Sequence, residues 1–417
     1  MNNNAQPMLS PKQQAFLVGL LSLNFGIVFF DRNALSFLMP FVQPELGLNN
    51  VQVGLTASAL SFTWAISGMI FGHLSDRSGK RKVFLVVATI AFSLCSFITG
   101  LATSFLLLFG ARLLMGACEG LVMPISHSIT AESVSPKARG IAQGVAQNFG
   151  SNLLGSFAAP VLLVAFAEAF GWRNAFFLAG VPGLITAGLI WIFIKDAVPT
   201  AGSEHKEQAE HSSIMEIFKE RNMIVCTLMS ILLVSYLVIT WAFMPLFLTE
   251  MRGIEPSSMG WIMGALGISA TVGSFLVPGL SDRIGRKPVM IVTPLIGVIM
   301  PLGAMYFDGS AWTMAALFFV GWLPCSVFPM FMATVPSESV NPRNVATAVG
   351  LTMGIGEVLG GVFSPTFAGW VADKSDLSAP LWILVGLTVT AGLIATALRE
   401  TAPNLLEARA KLTARSA

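Results

Sequence analysis

Long runs of apolar residues alternate with short polar segments along almost the whole chain. A helix that crosses a bilayer needs about 20 mostly apolar residues. Twelve runs are long enough, and we predict spans at 16–40, 52–73, 83–102, 104–130, 140–166, 174–194, 222–248, 258–280, 288–307, 311–334, 345–370 and 380–399. The pattern therefore predicts an all-α membrane protein with twelve transmembrane helices.

The two halves of the chain carry the same motifs at one spacing. LSDRSGKR at 74–81 returns as LSDRIGRK at 280–287, and ESVSPK at 132–137 returns as ESVNPR at 338–343, in both cases 206 residues later. Because each copy holds an even number of spans, the duplication is a parallel repeat.

The one long polar segment marks the predicted boundary between the halves. We expect a six-helix bundle at 1–194, a cytoplasmic linker at 195–221, and a second six-helix bundle with a short cytoplasmic tail at 222–417.

Composition agrees with a membrane protein and argues against several other classes. Hydrophobic residues make up 54% of the chain, and charged residues only 11%, against about 25% in a soluble domain. There is no basic stripe of the kind that binds nucleic acid. The cysteines lie in apolar runs without metal-ligand spacing, and no nucleophile–base pair stands out. We therefore expect neither an enzyme nor a cofactor or metal site.

The loop charges predict the orientation. If both termini are cytoplasmic, the cytoplasmic segments hold 19 Lys and Arg residues and the outer loops only three, Arg173, Arg252 and Lys374. Positive charge collects on the cytoplasmic side of membrane proteins. We expect a multi-pass protein of a bacterial inner membrane, in contact with lipid and acting as a monomer.

At this point the motifs resemble a known superfamily. GHLSDRSGKRK between spans 2 and 3, its echo between spans 8 and 9, and RLLMGACEG in span 4 are similar to signature segments of the major facilitator superfamily. The resemblance implies two six-helix bundles that rock around a central cavity, opening to each side in turn.

The repeated loops also predict a cytoplasmic gate. Its arginines could pair with carboxylates on the same membrane face, and the alternative is that they serve only as topogenic charges and turn residues. The predicted gate residues are Asp76, Arg77, Arg81, Glu132, Asp282, Arg283 and Glu338; Arg286 is a further arginine able to pair there.

Charged residues inside spans are costly and mark functional sites. Five qualify, and none has a charged counterpart 206 residues away: Asp31, Arg32, Arg112, Glu119 and Glu357. Four of the five lie in the first half. We infer that the first half carries the ion chemistry and that the second mostly shapes a substrate pocket.

The helix geometry suggests roles. Arg112 and Glu119, seven residues apart, share a helix face, and Asp31 lies at a depth near that of Arg112. We hypothesise that Arg112 is shared between Asp31 and a substrate anion and that Glu119 is a deeper proton site; the alternative is a static salt bridge. Arg32 contacts either substrate or an internal partner. The role of Glu357 stays open.

The first half resembles one family more closely, through FFDRNALS, SALSFTWAISGMIFGHLSD, RLLMGACEG and GWRNAFFLAGVPGLI. These segments are similar to those of the anion:cation symporters, which include sugar-acid carriers, sialin and vesicular glutamate transporters. The resemblance implies that Asp31 and Glu119 couple protons, that Arg32 and Arg112 are its membrane-embedded arginines, and that Asn152 contacts substrate.

The chain departs from that family at three places. Phe29 and Trp64 stand where the relatives often have tyrosine, and Glu357 lies near a position that is neutral in them. The departures favour a more apolar or aromatic substrate, or one with a basic or hydroxyl group. Further candidate substrate contacts are Asn148 and Trp241.

These features predict a secondary transporter that imports a small organic carboxylate together with protons by alternating access. The alternative on the same scaffold is a proton-driven exporter of amphipathic drugs or metabolites.

Overall fold

The computed structural model of the protein describes residues 10–405 except 79, 136–137, 195–216 and 342–343. Within these ranges the chain is almost entirely helical and contains no strand. Most of the predicted linker and the end of the predicted tail lie outside the described residues.

The described residues form twelve long helices. They are α1 Pro11–Leu46, α2 Asn50–Ser78, α3 Arg81–Gly100, α4 Phe105–Ser133, α5 Ile141–Phe170, α6 Trp172–Phe193, α7 Arg221–Met251, α8 Pro256–Ile284, α9 Arg286–Tyr306, α10 Ala311–Ser339, α11 Thr347–Lys374 and α12 Ser378–Ala395. Eleven are long and apolar enough to cross a membrane. The other, α2, has 29 residues and covers the predicted second span. The predicted fold class is confirmed.

The helices group into two compact units. Of the described residues, unit 1 contains those at 10–38 and 62–194, and unit 2 those at 39–61 and 217–405. The division differs from the predicted bundle boundaries because residues 39–61, the end of α1 and the start of α2, pack within unit 2. There the Asp373 carboxylate caps α2 by accepting the backbone N–H groups of Asn50 at 2.9 Å and Val51 at 3.0 Å.

Glycines bring α1 and α5 of unit 1 into backbone contact. A methyl group at Gly150 would overlap the carbonyl oxygen of Ser22, and one at Gly26 would lie 2.7 Å from the carbonyl oxygen of Gly150. The Ser22 hydroxyl fills the remaining space, accepting the N–H of Gly150 at 3.1 Å. Small residues of this kind let membrane helices approach closely.

Unit 2 has a similar contact at Gly356, 206 residues after Gly150, although the serine it meets lies 208 residues after Ser22. A methyl group at Gly356 would overlap the hydroxyl of Ser230 on α7. Both helices contain π-helical turns next to the paired glycines, at Val145–Phe149 and Ser151–Ala158 on either side of Gly150 in α5, and at Glu357–Phe363 directly after Gly356 in α11. The close contact and the widened turn therefore belong to the duplicated scaffold.

The Gly150 contact gives a test of this packing. We expect Gly150→Ala to lower the free energy of unfolding by about 1–3 kcal/mol, because the helices must separate to admit the methyl group. Gly144, on the same helix, has no atom within 4 Å of such a methyl group. Gly144→Ala is the matched control and should be neutral or stabilise by about 0.5–1 kcal/mol. Thermal unfolding in detergent measures both; equal midpoints would contradict the packing argument.

Candidate functional site

Four of the five predicted membrane-embedded charges lie in unit 1, on α1 and α4. Asp31, Arg112 and Glu119 are buried, with 0%, 4% and 1% of their surface exposed. Arg32 is only half-buried. We refer to these four side chains as the charge cluster. The arginines and carboxylates interact electrostatically with one another.

Asp31 is bound by a serine. The Ser96 hydroxyl of α3 donates to Asp31 Oδ1 at 2.6 Å, and it also lies 3.0 Å from the carbonyl oxygen of Phe176 on α6. Asp31 Oδ2 is buried and accepts no hydrogen bond from any described group. No described arginine forms an ion pair with Asp31, so a direct salt bridge to Arg112 is not part of this structure.

Arg112 instead binds the backbone of α1. Its Nη2 donates to the carbonyl oxygen of Arg32 at 2.7 Å, and its Nη1 lies 3.1 Å from Met115 Sδ. Arg112 Nε is buried and donates to no described acceptor. The guanidinium thus fixes α4 against the turn of α1 that carries Asp31 and Arg32.

Glu119 is the most isolated member of the charge cluster. Both of its carboxylate oxygens are buried, and neither has a hydrogen-bond partner among the described residues. The next residue, Gly120, packs so closely on α2 that a methyl group there would overlap the carbonyl oxygen of Trp64. Burying a carboxylate without partners is costly unless it is neutralised, so Glu119 has the environment that a proton site requires.

Arg32 lies close to two aromatic rings. Its guanidinium carbon is 5.5 Å from the centre of the Phe29 ring and 5.3 Å from the centre of the Trp64 ring. Such distances allow cation–π attraction. The guanidinium donates no hydrogen bond within the described part of the chain. Arg32 is therefore the accessible cation of the charge cluster.

Two further predicted substrate contacts lie on α5, next to the charge cluster's helices. Asn148 and Asn152 are half-buried and lie in the π-helical turns Val145–Phe149 and Ser151–Ala158. Asn33 ties α1 to the second of these turns, because its side-chain amide donates to the carbonyl oxygen of Gly155 at 3.0 Å.

The predicted residues of unit 2 have other surroundings. Trp241 is half-buried and meets Trp322 edge to face at 5.4 Å. Trp322 stacks on Tyr236 at 5.8 Å and is only 2% exposed, so it belongs to the core. Glu357 is half-buried and lies along its own helix, with Oε1 3.0 Å from the position a methyl group would take at Gly361.

Some predicted gate residues form ion pairs, each within one unit. Arg81 pairs with Glu132 in unit 1. In unit 2, Arg286 joins Asp282 and Glu338.

The other gate arginines behave differently. Arg283, predicted as the gate arginine of unit 2, is exposed and forms no ion pair with a described residue. The ion pairs there are made by Arg286, whose side chain is 9% exposed. The side chains of Asp76 and Arg77 lie outside what the structure describes.

Glu400 completes the unit 2 cluster and was not predicted. It accepts the backbone N–H groups of Arg286 at 2.8 Å, Lys287 at 3.1 Å, Thr401 at 3.0 Å and Ala402 at 2.9 Å. Partial burial acts to raise the pKa of Glu400, but these donors outweigh it and hold the pKa below its usual value. The segment after α12 is thereby attached to the start of α9.

Sequence reasoning also missed Ser96. A serine in an apolar span gives no signal by itself, since hydroxyls there commonly bond to their own helix. Comparison of the two repeats gives one signal that links Ser96 to Asp31. Both residues are replaced by leucine 206 residues later, at Leu302 and Leu237.

Comparisons with known proteins agree with this architecture. The family model described as Major Facilitator Superfamily matches residues 21–353 and 236–415. A probable sulfoacetate transporter of Cupriavidus necator is 24% identical, over 92% of this chain and 93% of the relative. A hexuronate transporter of Bacillus subtilis is 28% identical, over 91% of each chain.

A solved structure supports the fold in the same way. The bacterial homologue of the human lysosomal transporter Spinster is 20% identical, with 93% of this chain and 95% of that chain covered and a TM-score of 0.71. The family match extends over most of the residues that form the twelve helices. The protein is therefore a transporter of the major facilitator superfamily and not an enzyme.

Proposed function

We propose that this protein is a proton-coupled symporter that imports a small organic carboxylate by alternating access. We place it in a bacterial inner membrane as a monomer, with both termini in the cytoplasm. The observation that carries the proposal is Glu119, a fully buried carboxylate without a hydrogen-bond partner among the described residues, in the field of two arginines. The names of the sulfoacetate and hexuronate relatives support an organic anion as substrate.

The charge cluster supplies both halves of such a cycle. Glu119 and Asp31 each hold at least one buried oxygen without a partner inside the described chain, so each has room to bind a proton. A proton neutralises a charge that is expensive to keep in a dry interior. An anion that arrives at Arg32 changes the potential at Glu119, because the two side chains interact electrostatically. Proton and anion binding are thereby linked.

The two arginines take different roles in this proposal. Arg32 is half-buried and its guanidinium has free donors among the described residues, so it binds the carboxylate of the substrate. A guanidinium can hold a carboxylate through two parallel hydrogen bonds. Arg112 is buried against the carbonyl of Arg32 and holds that turn in place.

The remaining predicted contacts complete the proposal. We assign Trp64, Asn148 and Asn152 of unit 1, and Trp241 and Glu357 of unit 2, to the substrate, and the paired cytoplasmic residues described above to the gate.

Glu119→Gln tests the coupling. The amide cannot exchange a proton, so we expect the variant to lose accumulation driven by a pH gradient and to keep counterflow exchange. The substrate for both assays is a carboxylate that the wild type accumulates, chosen from D-glucuronate, sulfoacetate and 3-phenylpropionate. Proteoliposome uptake measures both activities. Glu168→Gln, which alters an exposed carboxylate on α5, is the matched control and should accumulate normally. Uphill uptake by Glu119→Gln would exclude Glu119 as the coupling site.

Arg32→Gln tests the substrate class. In a thermal-shift screen of purified protein, we expect carboxylates to stabilise the wild type and tetraphenylphosphonium not to. We expect Arg32→Gln to weaken carboxylate binding about 10–100-fold, the loss of a hydrogen bond to a charged group. Lys374→Gln removes an exposed cation and should bind as the wild type does. Stabilisation by the lipophilic cation alone would contradict the proposal and favour a drug exporter.

A further inference from the structure

The ring pair around Arg32 points to the chemistry of the substrate body. Phe29, Arg32 and Trp64 are all half-buried, whereas Asp31 and Glu119 are fully enclosed. An anion that reaches the charge cluster through its accessible cation therefore meets two aromatic rings first.

The Phe29 side chain and the backbone of Trp64 are both held by close packing. Phe29 packs on the buried Phe25 ring at 5.0 Å, and a methyl group at Gly155 would overlap its Cβ. The backbone of Trp64 is in equally close contact with Gly120. Fixed rings lose little conformational freedom when a ligand packs on them, so contacts with them favour binding.

The composition of this surface discriminates between substrates. The Phe29 ring offers no hydrogen-bonding group, and the Trp64 indole offers only a donor. A polyhydroxylated acid would have to give up water around its hydroxyls without new partners on either ring, which is costly. A flat aromatic ring loses little water and gains offset or edge contacts with both rings.

We propose that the substrate is an aromatic carboxylate, with its carboxylate on Arg32 and its ring against Phe29 and Trp64. This inference rests on the proposed function, whose anion it specifies.

The test compares two acids that differ in aromaticity, 3-phenylpropionate and 3-cyclohexylpropionate, with D-glucuronate as the polyhydroxylated acid. For the purified full-length protein we expect 3-phenylpropionate to bind about 2- to 13-fold more tightly than the cyclohexyl acid, the contribution of an aromatic pair. Trp64→Leu should reduce that ratio to about one. Phe29→Leu should reduce it as well and replaces Trp64→Leu if that variant does not fold.

Trp191→Leu is the matched control. Trp191 lies at the end of α6, and its ring centre is 4.7 Å from the ammonium nitrogen of Lys82. The variant therefore loses a tryptophan next to a cation away from Arg32, and it should keep the affinity ratio of the wild type. Equal or tighter binding of the cyclohexyl acid overturns the proposal. If the protein accumulates D-glucuronate but not 3-phenylpropionate in response to a proton gradient, the aromatic substrate is excluded and the symporter assignment stands. If no acid is taken up in response to a proton gradient, both proposals are overturned.

A second observation concerns the hydroxyl of Ser96. It lies 2.6 Å from Asp31 Oδ1 and 3.0 Å from the carbonyl oxygen of Phe176, and all three residues are completely buried. A serine has one proton to donate, so the hydroxyl can serve only one of these acceptors fully at a time.

The two acceptors match the two protonation states of Asp31. When Asp31 is ionised, the Ser96 hydroxyl donates to the carboxylate. When Asp31 carries a proton, the acid donates that proton to Ser96 Oγ, and the Ser96 hydroxyl turns to donate to the carbonyl of Phe176. No heavy atom has to move, and neither state leaves Oδ1 without a partner.

We infer that Ser96 is a positioning residue for proton coupling, a donor with two positions that follows the protonation of Asp31. Other charged or titratable groups near Asp31 are Arg32 on its own helix, Cys95 on α3, and Arg112 and Glu119 on α4. The one charged residue of α6, Arg173, donates instead to the carbonyl oxygen of Ala102 at 3.0 Å.

Infrared titration tests this inference without a substrate. We expect a carboxylic-acid band in the full-length protein that titrates with pH and is missing in Asp31→Asn. In Ser96→Ala its midpoint should move to higher pH by about one unit, because the ionised carboxylate loses a donor. Ser96→Thr keeps the hydroxyl and should restore the midpoint.

Ser93→Ala is the matched control. Ser93 is buried on the same helix, and its hydroxyl donates to the carbonyl of Thr89 at 2.8 Å, so its removal should leave the band unchanged. An unshifted midpoint in Ser96→Ala, or a spectrum without a band that Asp31→Asn removes, overturns the inference.

Discussion

The interior of a bilayer has no water for polar groups, so each of them must find a partner within the protein. Most polar side chains of these helices do so locally: the hydroxyls of Thr130 and Thr388, for example, donate to carbonyls four residues earlier on their own helices. Arg112 finds its partner on another helix, because its Nη2 donates to the carbonyl oxygen of Arg32 on α1. The Glu119 carboxylate differs, because neither of its buried oxygens has a hydrogen-bond partner among the described residues. The free energy that such burial costs is not offset locally, and costs of this kind cluster at functional sites.

The duplication separates scaffold from chemistry. Gly150 and Gly356 occupy equivalent positions, both helices widen just after them, and each brings a neighbouring helix into close contact. The membrane-embedded charges, in contrast, are not repeated in the second copy. Asp31 and its partner Ser96 both correspond to leucines in the second copy. Asp31 and Ser96 are thus present together in one copy and absent together from the other, as the inferred joint role requires, whereas the glycines are packing elements common to both.

Much of the fold could be predicted because it depends on composition and periodicity. The helices could be predicted from apolar runs of the required length. The members of the charge cluster could be predicted because burying a charge in a membrane costs free energy. The partners of those charges could not be predicted. Arg112 binds a backbone carbonyl, which every residue possesses, and Ser96 is one of many serines in apolar spans. Which arginine meets Glu338 depends on the helix start at Arg286, and the sequence motif offered Arg283 equally well.

The position of Trp64 joins the two parts of the proposed cycle. Its ring faces Arg32, while its backbone touches Gly120, the residue directly after Glu119. A ligand that packs on this ring therefore presses on α2 at the point where α2 meets α4 without intervening side chains. Because that contact has no room for even a methyl group, a displacement of Trp64 is passed on to the turn that carries Glu119. The proposed substrate and proton sites would thus be linked by packing as well as by charge, without a direct hydrogen bond between them.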